Sequence, residues 1–267
     1  MMQFGFCNLA VIPVRREPCE KAEMSTQLLF GDILEVIGKS GSWFHIKNFF
    51  DGYQGWVDSK QIREIDEEEF HNLGSSPVFV NRQLYSDSIM NKDMTLRLPA
   101  GCSLYDLKGQ HTEIAGEDYL FEGKAYPFIF TGMDDLLKTA SGYLSCPYLW
   151  GGKTCFGLDC SGLTQVVYKQ HGIRLLRDAI QQSTQGDLIS FLSDSRPGDL
   201  AFFDNAEEKI VHVGILLDSQ RILHCSGQVR IDTVDHQGIY NRQFSKYTHS
   251  LRLIRRVIGQ NPIPNTQ

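Results

Sequence analysis

The first half of the chain alternates short apolar runs with turn-forming residues at close intervals. Trp43–Lys47 alternates in the way a half-buried strand does, and the turn pair Asp51-Gly52 separates it from the next apolar run. Short strands at this spacing are typical of a small β-barrel, so we expect one barrel over residues 1–62. A second strand-rich stretch, with a turn at Pro99-Ala-Gly101, predicts another small barrel over residues 63–130.

A helical pattern replaces the strand pattern after these predicted barrels. Asp134–Leu144 has the periodicity of a short amphipathic helix, and Leu163–Gly172 predicts a second helix with glycine at its end. Several apolar strands follow, including Val211–Leu217. Helices followed by a run of strands favour an α+β domain, which we expect over residues 131–257. The polar, proline-bearing residues 258–267 predict a disordered tail.

Composition is that of an ordinary globular protein. Of the 267 residues, 42% are hydrophobic and 22% charged, and the net charge is −6. This balance predicts no nucleic-acid partner. With no basic run and no apolar stretch of the ~20 residues that span a bilayer, we expect no membrane partner. The first ten residues lack the features of a signal peptide. We therefore expect a cytoplasmic protein, or a periplasmic or secreted one if a signal peptide has been removed.

The seven cysteines form an odd, irregularly spaced set, so we expect reduced thiols rather than a disulfide framework. Cys160 is distinctive because it falls in the first turn of the helix predicted at Leu163–Gly172. Backbone N–H groups and the helix dipole at such a position favour the thiolate, which is the nucleophilic form of the side chain. The alternative is that Cys160 is a small buried hydrophobe, as most lone cysteines are.

Two histidines could serve such a cysteine. His212 shares one face of its predicted strand with Gly214, and His224 ends the next strand after a short turn, so pairing of the strands would bring the two rings together. Cys160 would then be the nucleophile, His212 the general base and later acid, and His224 the group that fixes the tautomer of His212. The alternatives are core histidines, or a zinc site that adds Cys155. The ligand spacing matches no structural zinc pattern, so we expect neither a metal nor a cofactor.

Five short motifs follow one another in the second half of the chain. They are Trp150-Gly-Gly, Gly157-Leu-Asp-Cys-Ser-Gly162, Arg196-Pro-Gly-Asp-Leu200, His212-Val-Gly-Ile215 and His224-Cys-Ser-Gly227. In this order they resemble the motifs of the NlpC-type cysteine peptidases, which are papain-like enzymes acting on peptidoglycan peptides. The resemblance covers residues 131–257 and implies a papain-like fold with a catalytic triad of Cys160, His212 and His224.

The front of the chain resembles bacterial SH3-like barrels, notably at Leu28-Leu-Phe-Gly-Asp32 and Asp51–Val57. Two such barrels ahead of an NlpC-type domain are similar to the γ-D-glutamyl-L-diamino acid endopeptidases of muropeptide recycling. This resemblance implies hydrolysis of the bond between D-Glu and an L-diamino acid, either diaminopimelate or lysine. It also implies that the substrate is a murein peptide with a free N-terminal L-Ala.

A free substrate ammonium in a buried cleft needs carboxylate and hydroxyl acceptors, because an unpaired buried charge is costly. Asp159 and Ser161, on either side of Cys160, carry such groups. Asp159 could instead serve only as the cap of the following helix, a position that aspartate often fills. We expect the backbone N–H of Cys160 to stabilise the tetrahedral intermediate together with a second donor that the sequence does not identify.

The resemblance implies four further substrate-binding residues. It places Tyr53 of the first barrel at the same pocket, makes Trp150 a wall of that pocket, and assigns Asp178 to the D-Glu part of the substrate. Asp32 stands where relatives tend to carry the longer glutamate. Two other functions stay open: a non-catalytic protein that binds cell-wall peptides, and an amidase or acyltransferase on the same fold.

Overall fold

The protein is described from a computed structural model that covers residues 4–85 and 87–257. These residues fall into two compact units. The first comprises the chain up to Ile129 together with Trp150–Cys155, and the second comprises Phe130–Leu149 and the chain from Phe156 onward. The tail predicted at 258–267 lies outside the described residues.

The first unit is built from strands and one helix. They are β1 (Phe4–Phe6), β2 (Val11–Arg15), β3 (Met24–Leu29), β4 (Ile33–Ser40), β5 (Trp43–Asn48), β6 (Gln54–Asp58), β7 (Arg63–Ile65), α1 (Glu67–Ser75), β8 (Val78–Asn81), β9 (Ser88–Met90), β10 (Thr95–Arg97), β11 (Ser103–Tyr105), β12 (His111–Ile114), β13 (Glu117–Glu122), β14 (Ala125–Pro127) and β15 (Lys153–Thr154). The helix begins after Asp66, whose carboxylate accepts a hydrogen bond from the backbone N–H of Glu69 at 2.8 Å.

The first seven strands form one antiparallel sheet in the order β3-β2-β6-β5-β4-β1-β7. Its alternating residues bury an apolar core that includes Ile12, Leu28, Ile46 and Val57. The later strands form two smaller sheets, β10-β9-β13-β12 and β11-β8-β14. The second barrel expected over residues 63–130 stays a prediction.

Residues of the two predicted barrels share a single apolar cluster. Phe6 and Phe30 lie in it together with Leu98 and Phe121, so the halves of this unit are not separated by a solvated linker. Gly31 shows how closely they approach: its φ is +83°, and a Cβ there would lie 1.9 Å from the carbonyl oxygen of Ser103.

The second unit combines helices with one antiparallel sheet, as the α+β pattern predicts. Its elements are α2 (Met133–Gly142), β16 (Gly157–Leu158), α3 (Cys160–Lys169), α4 (Ala179–Gln182), β17 (Asp187–Ile189), β18 (Leu200–Asp204), β19 (Ile210–Leu216), β20 (Arg221–Ser226), β21 (Gln228–Val234), β22 (Gly238–Asn241) and β23 (Lys246–Arg256). The sheet order is β17-β23-β18-β19-β20-β21-β22, and β22 also pairs with β23. Every residue of α3 is buried, and the helix packs against β19 and β20, which carry the two candidate histidines.

Candidate active site

Cys160 is the first residue of α3. Asp159 caps this helix, because its Oδ1 accepts a hydrogen bond from the backbone N–H of Gly162 at 2.6 Å. The thiol is only 7% exposed. Burial, followed by the negative charge of Asp159, raises the pKa of Cys160 to about 12, although backbone hydrogen bonds from Val213 and Ser161 oppose the rise. Loss of hydration on burial thus opposes the thiolate that the helix N-terminus favours.

The β19–β20 hairpin brings His212 and His224 together. Gly214 lies directly opposite His224 in the register, and His212 is two residues away on the same strand face. The Nε2 atom of His212 is 2.9 Å from Nδ1 of His224, and both rings are buried. A Cβ on Gly214 would lie 2.9 Å from the Cβ of His224, so only glycine leaves room for this arrangement.

A carboxylate lies behind the second histidine. Nε2 of His224 is 3.1 Å from Oδ2 of Asp232, which also contacts Nε of Arg230 at 2.7 Å. The opposite oxygen of Asp232 accepts a hydrogen bond from Nη2 of Arg230 at 2.9 Å. Neither residue was predicted from the sequence. The pattern that predicts their position is nevertheless present there: a turn at Gly227 sets His224 opposite Arg230, and Asp232 is two residues further along the same face.

A third histidine packs on the candidate base. The rings of His212 and His249 are stacked, with centroids 4.1 Å apart and planes inclined by 25°. Burial, and then the charges of His249 and His224, hold the pKa of His212 well below 6.5. Burial, and then the charge of His224, lowers the pKa of His249 to about 4. At neutral pH the site therefore combines a protonated thiol with a neutral imidazole at His212.

A fully buried arginine holds the start of α3. Nη1 of Arg177 lies 3.0 Å from Oδ1 of Asp159, and Nη2 lies 2.7 Å from Oδ2, so the contact is bidentate. Nη1 also donates to the hydroxyl of Ser161 at 2.9 Å. The structure thus brings together the two residues predicted to bind an ammonium and adds a cation to them. Sequence spacing gave no signal for Arg177, which is 18 residues from Asp159.

Tyr148 and Asp178 are the other residues of interest in this unit. Burial, and then the charge of Cys160, raises the pKa of Tyr148 to about 12, so its phenol is a neutral hydrogen-bond donor. Sequence analysis did not single out this tyrosine. Asp178 precedes α4 as its N-cap residue, and its backbone N–H donates to Oε1 of Gln181 at 3.0 Å.

The remaining predicted site residues belong to the first unit. Asp32 is 3% exposed, and its carboxylate accepts a hydrogen bond from the backbone N–H of Leu29 at 2.9 Å. The backbone N–H of Tyr53 donates to Oδ1 of Asp51 at 3.0 Å. Trp150 is 59% exposed, and its indole N–H donates to Oε1 of Glu23 at 2.6 Å.

Metal-binding clusters and membrane-spanning helices are both absent from the described residues. Within 4–85 and 87–257, no group of three or more histidine, cysteine, aspartate and glutamate side chains is arranged to hold a metal ion. Across the same part of the chain, every helix is too short or too polar to cross a membrane.

A cysteine at the start of a buried helix, with that helix packed against two histidine-bearing strands of an antiparallel sheet, is the arrangement of a papain-like fold. Residues 145–248 match the model of the NlpC/P60 family, and residues 14–62 match the bacterial dipeptidyl-peptidase SH3 domain. The chain therefore contains an NlpC/P60 domain preceded by a bacterial SH3 domain. The predicted resemblance to the NlpC-type peptidases is confirmed, and so is the SH3 identity of the first barrel.

Two dipeptidyl-peptidases of Bacillus species are similar to this chain over most of its length. A γ-D-glutamyl-L-lysine dipeptidyl-peptidase of Bacillus cereus is 29% identical over 76% of this chain and 67% of its own length. One from Bacillus subtilis is 28% identical over 77% of this chain and 73% of its own length. The crystal structure of an NlpC/P60 family protein from Bacillus cereus covers 96% of this chain and 99% of its own, with a TM-score of 0.80 at 20% identity. This last similarity is one of fold.

Proposed function

We propose that this protein is a cysteine peptidase that hydrolyses the γ-D-glutamyl–L-diamino acid bond of peptidoglycan-derived peptides during murein peptide recycling. The substrate carries a free N-terminal L-Ala, and the diamino acid is diaminopimelate or lysine. The observation that carries the proposal is the contact of His212 with His224 in the sheet that packs on the helix of Cys160, within an NlpC/P60 domain. The names of the two Bacillus relatives support the choice of bond.

The mechanism follows from the protonation states of the two groups. The thiol of Cys160 is protonated and His212 is neutral, so His212 removes the thiol proton as the sulfur attacks the γ-carbonyl carbon. Collapse of the tetrahedral intermediate breaks the C–N bond, and His212 returns the proton to the departing amine. Water, deprotonated by His212, then hydrolyses the thioester and regenerates Cys160.

Two donors stabilise the negative oxygen of the intermediate in this proposal. One is the backbone N–H of Cys160 at the beginning of α3, where amide groups have no helical partner. The other is the phenol of Tyr148, whose raised pKa keeps it protonated, and whose backbone pairs with Leu158, two residues before Cys160. Tyr148 thus fills the position for which sequence analysis had no candidate.

Substrate binding is assigned to residues of both units. Asp159 and Ser161 accept hydrogen bonds from the ammonium of L-Ala, and Asp159 does so while bound to Arg177, because each carboxylate oxygen accepts more than one hydrogen bond. Tyr53, Asp32 and Trp150 stay assigned to substrate binding. Asp178 is assigned to the D-Glu part of the substrate.

The experiment compares two peptides that differ only at the amino terminus. L-Ala-γ-D-Glu-diaminopimelate and its N-acetylated form are incubated with the protein, and the products are identified by mass spectrometry. We expect L-Ala-D-Glu and free diaminopimelate from the first peptide only. The Cys160→Ala variant should be inactive, whereas replacement of the exposed Cys19 by alanine should leave the rate unchanged. Equal cleavage of both peptides would refute the free-amine requirement, and full activity of Cys160→Ala would refute the nucleophile.

A further inference from the structure

The hydrogen bonds that lead away from His212 end on a carboxylate. His212 contacts His224 through Nε2, and His224 contacts Asp232 through its own Nε2. His224 is completely buried, and the side chain of Asp232 is 6% exposed. Two neutral imidazoles in series could carry their protons in either order, so the group at the end of the series decides which nitrogen of His212 is protonated.

When the group at this end is an ionised carboxylate, two neutral imidazoles can carry their protons in only one order. Asp232 accepts hydrogen bonds and donates none while ionised, so Nε2 of His224 must carry the proton of that contact. Nδ1 of a neutral His224 is then an acceptor, and Nε2 of His212 must carry the proton between the rings. The nitrogen left with a lone pair is Nδ1 of His212. The reverse order would place a proton on Nδ1, and His212 could not act as a base through it.

Arg230 keeps Asp232 in the state that this order needs. The guanidinium contacts both carboxylate oxygens, at 2.7 and 2.9 Å. Burial would raise the pKa of Asp232, but hydrogen bonds from His224 and Arg230, together with the charge of Arg230, hold it below its usual value. The positive charge of Arg230 also balances the negative charge of the buried carboxylate.

We propose that Asp232, held by Arg230, is a positioning residue that fixes the direction of the hydrogen bonds through His224, so that His212 presents an unprotonated Nδ1 as the base. Asp232 does not touch the reacting atoms in this role. The catalytic use of this nitrogen rests on the proposed peptidase function, whereas the proton order itself does not. The two can therefore be tested by separate measurements.

The first measurement needs no variant of Asp232. Long-range proton–nitrogen NMR spectra of the ¹⁵N-histidine-labelled protein distinguish protonated from unprotonated ring nitrogens, and the His212→Asn and His224→Asn variants assign the signals. We expect both rings to be neutral and protonated on Nε2 near pH 7. A spectrum in which His224 carries its proton on Nδ1 would overturn the proposal, whatever the protein hydrolyses.

The second measurement removes the carboxylate. We expect Asp232→Ala to shift His224 toward protonation on Nδ1 and to lower kcat by about 10- to 100-fold with little change in KM, as loss of a group that orients a catalytic histidine does. Arg230→Met keeps the carboxylate and should keep the proton order. The exposed Asp194→Ala is the matched control and should resemble the wild type.

The outcomes separate the inference from the function. If Asp232→Ala folds but keeps both the wild-type histidine spectrum and the wild-type kcat, Asp232 is not a positioning residue. Identical spectra and identical losses in Asp232→Ala and Arg230→Met would also overturn the proposal, because they would indicate general damage to the hairpin. If the wild type hydrolyses none of the peptides but shows the expected proton order, the peptidase function fails and the inference about Asp232 stands.

Discussion

Two aspartate–arginine pairs serve the candidate site, and they differ in what the aspartate does besides holding its arginine. Asp159 uses its remaining capacity to cap α3, and its arginine is 1% exposed. Asp232 accepts from His224, and Arg230 is 23% exposed. In the first pair, the aspartate also holds the backbone at the start of α3. In the second, as we propose, it also determines which nitrogen of His224 carries the proton.

The comparison also shows that the place of a buried charge matters more than its presence. Asp159 lies next to Cys160 in the chain, and its negative charge contributes to the raised pKa of the thiol, which Arg177 partly offsets. Asp232 lies behind an imidazole, where its hydrogen bond directs His224. In the proposed mechanism, one carboxylate therefore opposes formation of the thiolate, and the other prepares the base that removes the thiol proton.

The largest expected effect is the loss of kcat when His212 or His224 is replaced. His212→Ala should lower kcat by roughly 100- to 10,000-fold, because it removes the general base. His224→Asn should cost less, since the amide oxygen of asparagine can still accept the hydrogen bond from His212. Steady-state kinetics on L-Ala-γ-D-Glu-diaminopimelate measures both variants. Comparable losses would contradict this division of roles.

The next effect is on stability and separates the two arginines. Arg177→Met leaves Asp159 buried without its cation and should lower the free energy of unfolding by about 3–5 kcal/mol. Arg230→Met should cost only about 1 kcal/mol, since the pair is partly solvated and Asp232 keeps its hydrogen bond with His224. Urea unfolding followed by circular dichroism gives both values, and equal losses would show that burial does not distinguish the pairs.

The pH dependence of thiol alkylation tests the effect of burial and of Asp159 on the pKa of Cys160. Because the pKa of Cys160 is raised to about 12, the thiolate fraction, and with it the rate of reaction with iodoacetamide, should rise about tenfold per pH unit from pH 6 to 9 without a plateau. Asp159→Asn removes the second cause of the raised pKa and should move the curve to lower pH. A rate that is constant between pH 5 and 8 would instead indicate a preformed thiolate–imidazolium pair.

The smallest expected effect concerns the ring stacked on His212. His249→Ala should lower the free energy of unfolding by about 0.5–1.5 kcal/mol, the usual contribution of an aromatic pair. The variant also hydrates His212 and removes a neighbouring charge, so the pKa of His212 should rise and the acid limb of kcat/KM should move to higher pH. His249→Phe preserves the stack and should retain more of this stability. Identical pH profiles for all three proteins would exclude a role for His249.

Local features of the sequence were enough to predict the helix of Cys160 and the strands of His212 and His224. Each depends on periodicity within a few residues and on one short turn, which are readable without the fold. The NlpC-type motifs then gave the class of the second unit. Thus the fold class and three central residues of the site, Cys160, His212 and His224, could be proposed from the sequence alone.

The rest of the site depends on long-range packing. His249 reaches His212 from β23, more than 30 residues away in sequence, and Arg177 reaches Asp159 from a loop. The raised pKa of Cys160 could not be predicted, because it follows from burial, which the sequence around a cysteine does not reveal. The apolar cluster shared by the two predicted barrels was missed for the same reason, since strand patterns do not show which strands pack together.

The short stretch Trp150–Cys155 affects how the second unit could be expressed by itself. It is flanked by residues of the second unit but is held in the first, where Gly151 lies so close to Met24 that a Cβ would fall 2.3 Å from its carbonyl oxygen, and the backbone N–H of Lys153 donates to Gln27 at 2.8 Å. A fragment beginning at Phe130 would therefore strip this stretch of its packing partners. Each unit is therefore discontinuous in sequence, and a cut at Phe130 does not separate them.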